Sequence, residues 1–90
     1  MNLDSSHHRE LVAQGALLLD VRTPAEFCDG HLTHAVNVPM QELPARIADV
    51  RPTSRPVVVY CRSGGRSAMA KAVLTRAGYK VCDIGPMTAW

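Results

Sequence analysis

Aromatic side chains are scarce in this chain, with one Trp, two Tyr and one Phe among 90 residues. Any core it builds is therefore mainly aliphatic. Basic clusters are also missing. Ten Lys and Arg stand against eight Asp and Glu, for a net charge of +2, which excludes the electrostatic footprint of a nucleic-acid binder. The longest uninterrupted apolar run is five residues, 57–61, far short of the roughly 20 needed to cross a bilayer. The first ten residues carry Asp4, His7, His8, Arg9 and Glu10 and no apolar centre, so no secretory leader is expected. Cysteine is sparse as well. Cys28, Cys61 and Cys82 are odd in number and form no Cys-x2-Cys pair, which excludes a disulfide framework and a zinc ribbon. The expectation is a reduced, cytoplasmic protein that engages neither membrane nor nucleic acid.

Ninety residues fit one domain, 1–90, which buries roughly 60–65% of its unfolded surface. With 47% hydrophobic residues, that supports one core. No internal repeat or low-complexity segment interrupts the chain.

The stretch that organises the rest is Val57-Val58-Val59-Tyr60-Cys61-Arg62-Ser63-Gly64-Gly65-Arg66-Ser67. Its apolar half does not alternate, which suits a central strand covered on both faces. After Cys61 the composition turns to glycine, serine and arginine. Gly64 and Gly65 tolerate positive φ, and such a turn aims successive N–H groups into one anion-binding concavity. Ser67 is a cap-type residue for a following helix. Ala70, Val73, Leu74 and Ala77 then fall on one helical face, and Gly78 is a stop signal.

The electrostatics of that arrangement favour a thiolate. A free cysteine has a pKa of about 8.5, and a helix N-terminus with neighbouring cations lowers it to about 3.5–7.5. Arg62 and Arg66 supply permanent positive charge and suit an oxyanion substrate. A strand-end cysteine taken alone is a small buried hydrophobe. The conjunction of strand, cysteine, arginines, glycines, hydroxyl and helix argues instead for a reactive group.

Elsewhere, short apolar strands alternate with helices. Met1 to Leu3 reads as a first strand. Asp4, Ser5 and Ser6 are caps for a short helix that ends at Gly15, with His7 and His8 read as surface residues. Ala16 to Leu19 is a second strand ending in Asp20-Val21-Arg22, and Thr23-Pro24 opens a helical turn. Asp20, Arg22 and Glu26 are compatible with a local ion-pair cluster that fixes the loop. Asp20 and Arg22 are equally compatible with the rim of the cysteine site, whereas Glu26 is read as structural. Ala35 to Val38 is a third strand, Leu43, Ile47 and Val50 mark a short helix, and Lys80 to Ile84 is a fifth strand with Cys82 as a packing residue. Cys28, His31 and His34 are zinc-ligand types, but a fourth ligand at useful spacing is missing, so no metal site is expected. The fold expected is α/β in three layers: a central parallel five-stranded sheet with short helices on both faces. Cys61 and Asp20 both fall at the carboxyl ends of strands, where such sheets bind ligands.

The Cys61 segment resembles the active-site loop of the rhodanese family of sulfurtransferases. Asp20-Val21-Arg22-Thr23-Pro24-Ala25-Glu26-Phe27 is similar to that family's Asp-x-Arg segment with its acidic helix. Gly30 to Pro39 resembles its Gly-His-Ile-Pro-Gly-Ala-x-Asn-x-Pro element, departing at Thr33 and His34, where the family has Pro-Gly. Gly85-Pro86 stands where it often has Gly-Gly. Trp90 stands where the family has a tryptophan shortly after that pair. As the last residue, it is expected to be poorly ordered and to leave the loop side of the domain open. The resemblance covers nearly the whole chain and implies strand order 1-5-4-2-3. It further implies that Cys61 takes a sulfane sulfur from thiosulfate or a similar small anionic donor and passes it to cyanide or a thiol. Arg62, Ser63, Gly64, Gly65, Arg66 and Ser67 would cradle the persulfide and hold the donor, with no metal or organic cofactor. A sulfur-relay or regulatory module that meets a protein donor or acceptor is the alternative. A thiolate phosphatase or arsenate reductase fits less well. Those enzymes space cysteine and arginine as Cys-x5-Arg, whereas four residues separate Cys61 from Arg66. One residue is about 3.3–3.6 Å of chain, so the loop is a smaller ring, matched to one sulfur better than to a phosphate.

Overall fold

The computed structural model describes residues 5–46 and 55–90. Four strands, Leu17–Asp20 (β1), Val36–Asn37 (β2), Val57–Cys61 (β3) and Val81–Pro86 (β4), form one parallel sheet in the order β2-β1-β3-β4. Helices Ser5–Ala13 (α1), Pro24–Cys28 (α2) and Gly65–Arg76 (α3) connect and cover it. The sheet therefore has four strands among the described residues, not five. The expected strand at Met1 to Leu3 lies outside those residues, and the remaining four take the expected relative order. The Cys61 strand is central, with β1 on one side and β4 on the other.

Alternation along the apolar runs makes the two faces. Leu17, Leu19, Val57, Val59 and Cys61 point to one side and pack with Ala70 and Leu74 of α3. Leu18, Val58, Tyr60 and Ile84 point to the other and pack with Leu11 and Val12 of α1. All five residues of β3 are fully buried, as an unalternating run requires. Of the α3 face read from spacing, Ala70 and Leu74 are buried and Val73 is partly buried, while Ala77 is exposed at the helix end; Gly78 ends the helix in a Schellman motif, with Gly78 N–H on Thr75 O and Tyr79 N–H on Leu74 O.

Several local expectations change. His7 is exposed, but His8 is buried, because it shares the inner face of α1 with Leu11 and Val12. Trp90 is half-buried rather than free. It packs on the Tyr60 side of the sheet, and its ring lies 5.7 Å from the Arg9 guanidinium. The helix expected over Leu43 to Val50 lies partly outside the described residues. Within them, Met40–Glu42 is a 3-10 turn, and residues 43–46 continue as turns.

His34, which stands where the resembling element has glycine, takes φ of 71°, in the left-handed region that favours glycine. A side chain in that region costs roughly 1–2 kcal/mol. His34→Gly should therefore stabilise the domain by about 0.5–1 kcal/mol after the entropy glycine adds to the unfolded chain. Thermal unfolding checks this. An upward shift of a few degrees is expected for a domain of this size, and a lower melting temperature would contradict the account.

Candidate active site

The geometry begins at the end of β3. Cys61 lies on the α3 face of the sheet with no exposed surface. Gly64 has φ of 102°, which turns the backbone so that its N–H donates to Cys61 Sγ at 2.9 Å. A Cβ there would meet only Gly85 Cα and Pro86 Cδ at 3.9 Å, an ordinary contact, so backbone conformation rather than space demands the glycine. Gly65 opens α3, and an added Cβ would meet nothing within 4 Å. Of the two glycines expected at positive φ, only Gly64 adopts it.

Ser67 does not cap α3. Gly64 holds the cap position without a side-chain hydrogen bond, because the tight turn starts the helix earlier than expected. Ser67 is instead the third residue of α3 and is fully buried. Its hydroxyl lies 3.5 Å from Cys61 Sγ and donates to Gly64 O at 3.1 Å. In the neutral state the thiol donates to Ser67 Oγ. Once the thiol ionises, the Ser67 proton can turn onto the sulfur. Burial pushes the Cys61 thiol up, but the Ser67 hydroxyl and the N–H groups of Ser67, Gly64 and Ser63 outweigh it. The net shift is downward from the ordinary thiol value.

The wall opposite comes from the bulge in β4. The register against β3 slips between Val59 and Tyr60, so that Val59 pairs with Asp83 and Tyr60 with Gly85. Gly85 takes φ of 76° there, and its N–H is satisfied by Asp83 Oδ1 at 2.8 Å. The slip sets Pro86 opposite Cys61.

Asp20 and Arg22 form a buried pair. Arg22 Nη2 donates to Asp20 Oδ2 at 2.7 Å and to Gly30 O at 2.7 Å, and Arg22 Nε donates to both Asp20 oxygens at 3.1 Å. The Tyr60 hydroxyl also donates to Asp20 Oδ2, at 2.7 Å, and accepts from Leu32 N–H at 3.2 Å. Burial and the Asp20 carboxylate push the Tyr60 phenol up to about 12, so it remains a donor. Asn37 completes the knot by donating to the carbonyls of Asp20 and Arg22. Asp20 is thus a fully buried structural residue, while Arg22 also reaches a cleft.

That cleft, about 390 Å³, is lined by Arg22, Glu26, Asp29 and Gly30 from the β1–α2 region and by Arg62, Met87 and Thr88 from the ends of β3 and β4. Arg62 is exposed. Arg66 is not free. Its guanidinium grips Glu26 bidentately, at 2.6 and 3.1 Å. Arg66 and the Thr23 N–H hold the Glu26 carboxyl down at about 2, so it is ionised at every neutral or mildly acidic pH. Glu26 also closes the capping box with Thr23 that starts α2.

The expected Asp20-Arg22-Glu26 cluster is therefore two pairs, Asp20–Arg22 and Glu26–Arg66. Ser63 and Gly65 sit on the exposed part of the loop, and Cys61 itself does not line the cleft. Of the zinc-type residues, Cys28 is exposed, and His31 stacks on Phe27 with ring centroids 3.8 Å apart. His31 Nδ1 lies 2.8 Å from Leu32 O.

The sequence matches the family profile described as "Rhodanese-like domain" over residues 5–90. A sulfurtransferase of Allochromatium vinosum is 40% identical over 89 residues, covering 97% of this chain and 82% of its own length. The thiosulfate sulfurtransferase PspE of Escherichia coli is 39% identical over 62 residues, 68% of this chain and 60% of its own. Among solved structures, a rhodanese from E. coli with anions superposes with a TM-score of 0.78 at 33% identity, covering 84% of this chain and 92% of that one.

Proposed function

This chain belongs to the rhodanese-like domain family, and from that premise we propose that it is a sulfurtransferase whose Cys61 carries the moving sulfur as a persulfide. The observation that carries the reading is the Gly64 N–H, 2.9 Å from a cysteine sulfur at the buried end of a central strand. Residues 1–90 serve both half-reactions as one domain.

The Cys61 thiolate attacks the sulfane sulfur of thiosulfate or a similar donor. A sulfur–sulfur bond forms at Cys61, the one to the sulfonate breaks, and sulfite leaves with its electron pair. Cyanide or a thiolate then attacks the outer sulfur and releases the Cys61 thiolate. Atoms and electrons balance between donor and acceptor, so the cycle calls for no metal or organic cofactor. The amides of Ser63, Gly64 and Ser67 and the Ser67 hydroxyl stabilise the sulfur anion in each resting form. Arg62 meets the incoming anion, with Arg22 behind it. A cycle through a free thiol belongs in a reducing compartment, and we place it in the cytoplasm. Phosphoryl transfer is disfavoured here. Arg66 is held by Glu26, and the sixth residue after Cys61 is Ser67, whose hydroxyl faces the sulfur.

The test is thiocyanate formation from thiosulfate and cyanide as a function of pH. The rate of sulfur loading should rise with pH through the lowered Cys61 value and level off before an ordinary thiol would titrate. Ser67→Ala removes one donor to the anion, so the rise should move to higher pH. The variant is then slower at neutral pH and equals the parent at alkaline pH. An unchanged midpoint would show that Ser67 does not stabilise the thiolate. Poor turnover of thiosulfate beside efficient loading from a persulfidated protein would favour the relay reading.

A further inference from the structure

Resting on the sulfurtransferase reading, we infer that Glu26 is a specificity-determining residue. By clamping Arg66, it withdraws one of the two loop cations from the anion site and weakens binding of dianionic donors relative to singly charged ones.

The argument starts from placement. The loop after Cys61 carries two arginines, Arg62 and Arg66. Arg62 is exposed and lines the cleft. Arg66 stands in the first turn of α3, one residue before the Ser67 that touches the sulfur. Its side chain turns to α2, where both of its terminal nitrogens are engaged by the two Glu26 oxygens. Glu26 itself lines the cleft, so the pair stands at the wall of the anion's approach and presents it a carboxylate.

The clamp is rigid for local reasons. Glu26 Oε1 also accepts from Thr23 N–H at 2.9 Å and from Thr23 Oγ1 at 3.2 Å, which fixes the carboxylate before Arg66 arrives. A bidentate arginine–carboxylate pair on a fixed carboxylate loses less side-chain entropy than two mobile partners. The effective charge of the site is therefore set by Arg62 and the buried Arg22–Asp20 pair, not by two free arginines. Asp29 adds a further carboxylate to the cleft lining. Thiosulfate and sulfate, with two charges, lose more from this than a monoanionic thiosulfonate or a protein persulfide does.

Glu26→Gln tests this with little effect on folding, because glutamine also serves the third position of a capping box. The readout is protection of the Cys61 peptide against iodoacetamide by sulfate, a dianion that cannot transfer sulfur. The half-protecting sulfate concentration should fall about fivefold in Glu26→Gln, the scale of one partly exposed charge contact. Two further variants locate the effect. Glu26→Gln/Arg66→Ala should lose the gain. Glu10→Gln, the same charge change on exposed α1, should give none. An unchanged or weaker sulfate protection in Glu26→Gln, or an equal gain in Glu10→Gln, would overturn the inference. Thiosulfate loading of the wild type, read by intact mass, tests the sulfurtransferase reading separately. Sulfate protection stands whether or not sulfur is transferred.

Discussion

Cys61→Ser protein is expected to fold as the wild type does and to transfer no sulfur, a loss of at least about a thousandfold. A hydroxyl at this position stays protonated and forms no bond to sulfane sulfur that a thiol or cyanide could later attack. The fold should survive, because the replacement oxygen inherits partners already in place. Gly64 N–H points at it, and the Ser67 hydroxyl stands beside it. A buried hydroxyl so satisfied costs little, on the order of 1 kcal/mol or less. Urea unfolding and thiosulfate–cyanide turnover, measured on the same preparation, check both halves. Residual turnover within tenfold of wild type would remove Cys61 from the mechanism, whatever the loop geometry.

The second large effect is on stability. Asp20→Ala should cost about 3–5 kcal/mol, the scale of breaking a buried ion pair from one side. Asp20 has no exposed surface and accepts from Arg22 N, Nε and Nη2 and from the Tyr60 hydroxyl. Its removal leaves a guanidinium at 5% exposure with Gly30 O as its remaining hydrogen-bond acceptor among the described residues, beside the Tyr60 ring at 5.7 Å. It also takes away the acceptor of the buried Tyr60 hydroxyl, which keeps only the Leu32 N–H that donates to it. Total stability for such a domain is about 5–15 kcal/mol, so the variant stands at the edge of folding. Denaturant unfolding is the measurement. A loss below about 1 kcal/mol would show that the network is not the support the geometry makes it. Asp20→Asn, which keeps the shape and one acceptor, should fall between.

Much of the architecture is readable where one residue's environment repeats along the chain. The unalternating runs at Leu17–Leu19 and Val57–Cys61 are buried on both faces, and the α3 stripe Ala70–Leu74 is the covered one. The position of Cys61 at a strand's carboxyl end followed from those runs, because the residues beyond it could not continue a strand. The segments that carry Asp20, Arg22 and Asn37 were each legible as motifs, but their meeting was not, and the structure joins them by hydrogen bonds.

What was not legible depends on contacts between distant segments. Glu26 is 40 residues from Arg66, and an arginine four residues away offered itself as partner; only the packing of α2 against the loop decides between them. The role of Ser67 depended on where the helix begins. The helix starts three residues earlier than a Ser67 cap implies, which moves the hydroxyl from the cap to the sulfur. His8 was hidden by its polarity, although its place on the Leu11–Val12 face was visible in the spacing. Tyr60 read as one more apolar residue of the strand, and nothing in its neighbours announced the Asp20 carboxylate at 2.7 Å. Met87 and Thr88 lie beyond the last strand and carried no signal of the cleft they line.

The central claim is that the Cys61 thiolate accepts a sulfane sulfur and holds it among backbone amides. Its most direct test is the intact mass of the reduced protein after brief exposure to thiosulfate, followed by mapping of the modified peptide. The account predicts a gain of one sulfur atom on Cys61, none on exposed Cys28, and return to the starting mass on adding cyanide. No gain from thiosulfate or from a persulfidated donor, or a gain confined to Cys28 or Cys82, would contradict it.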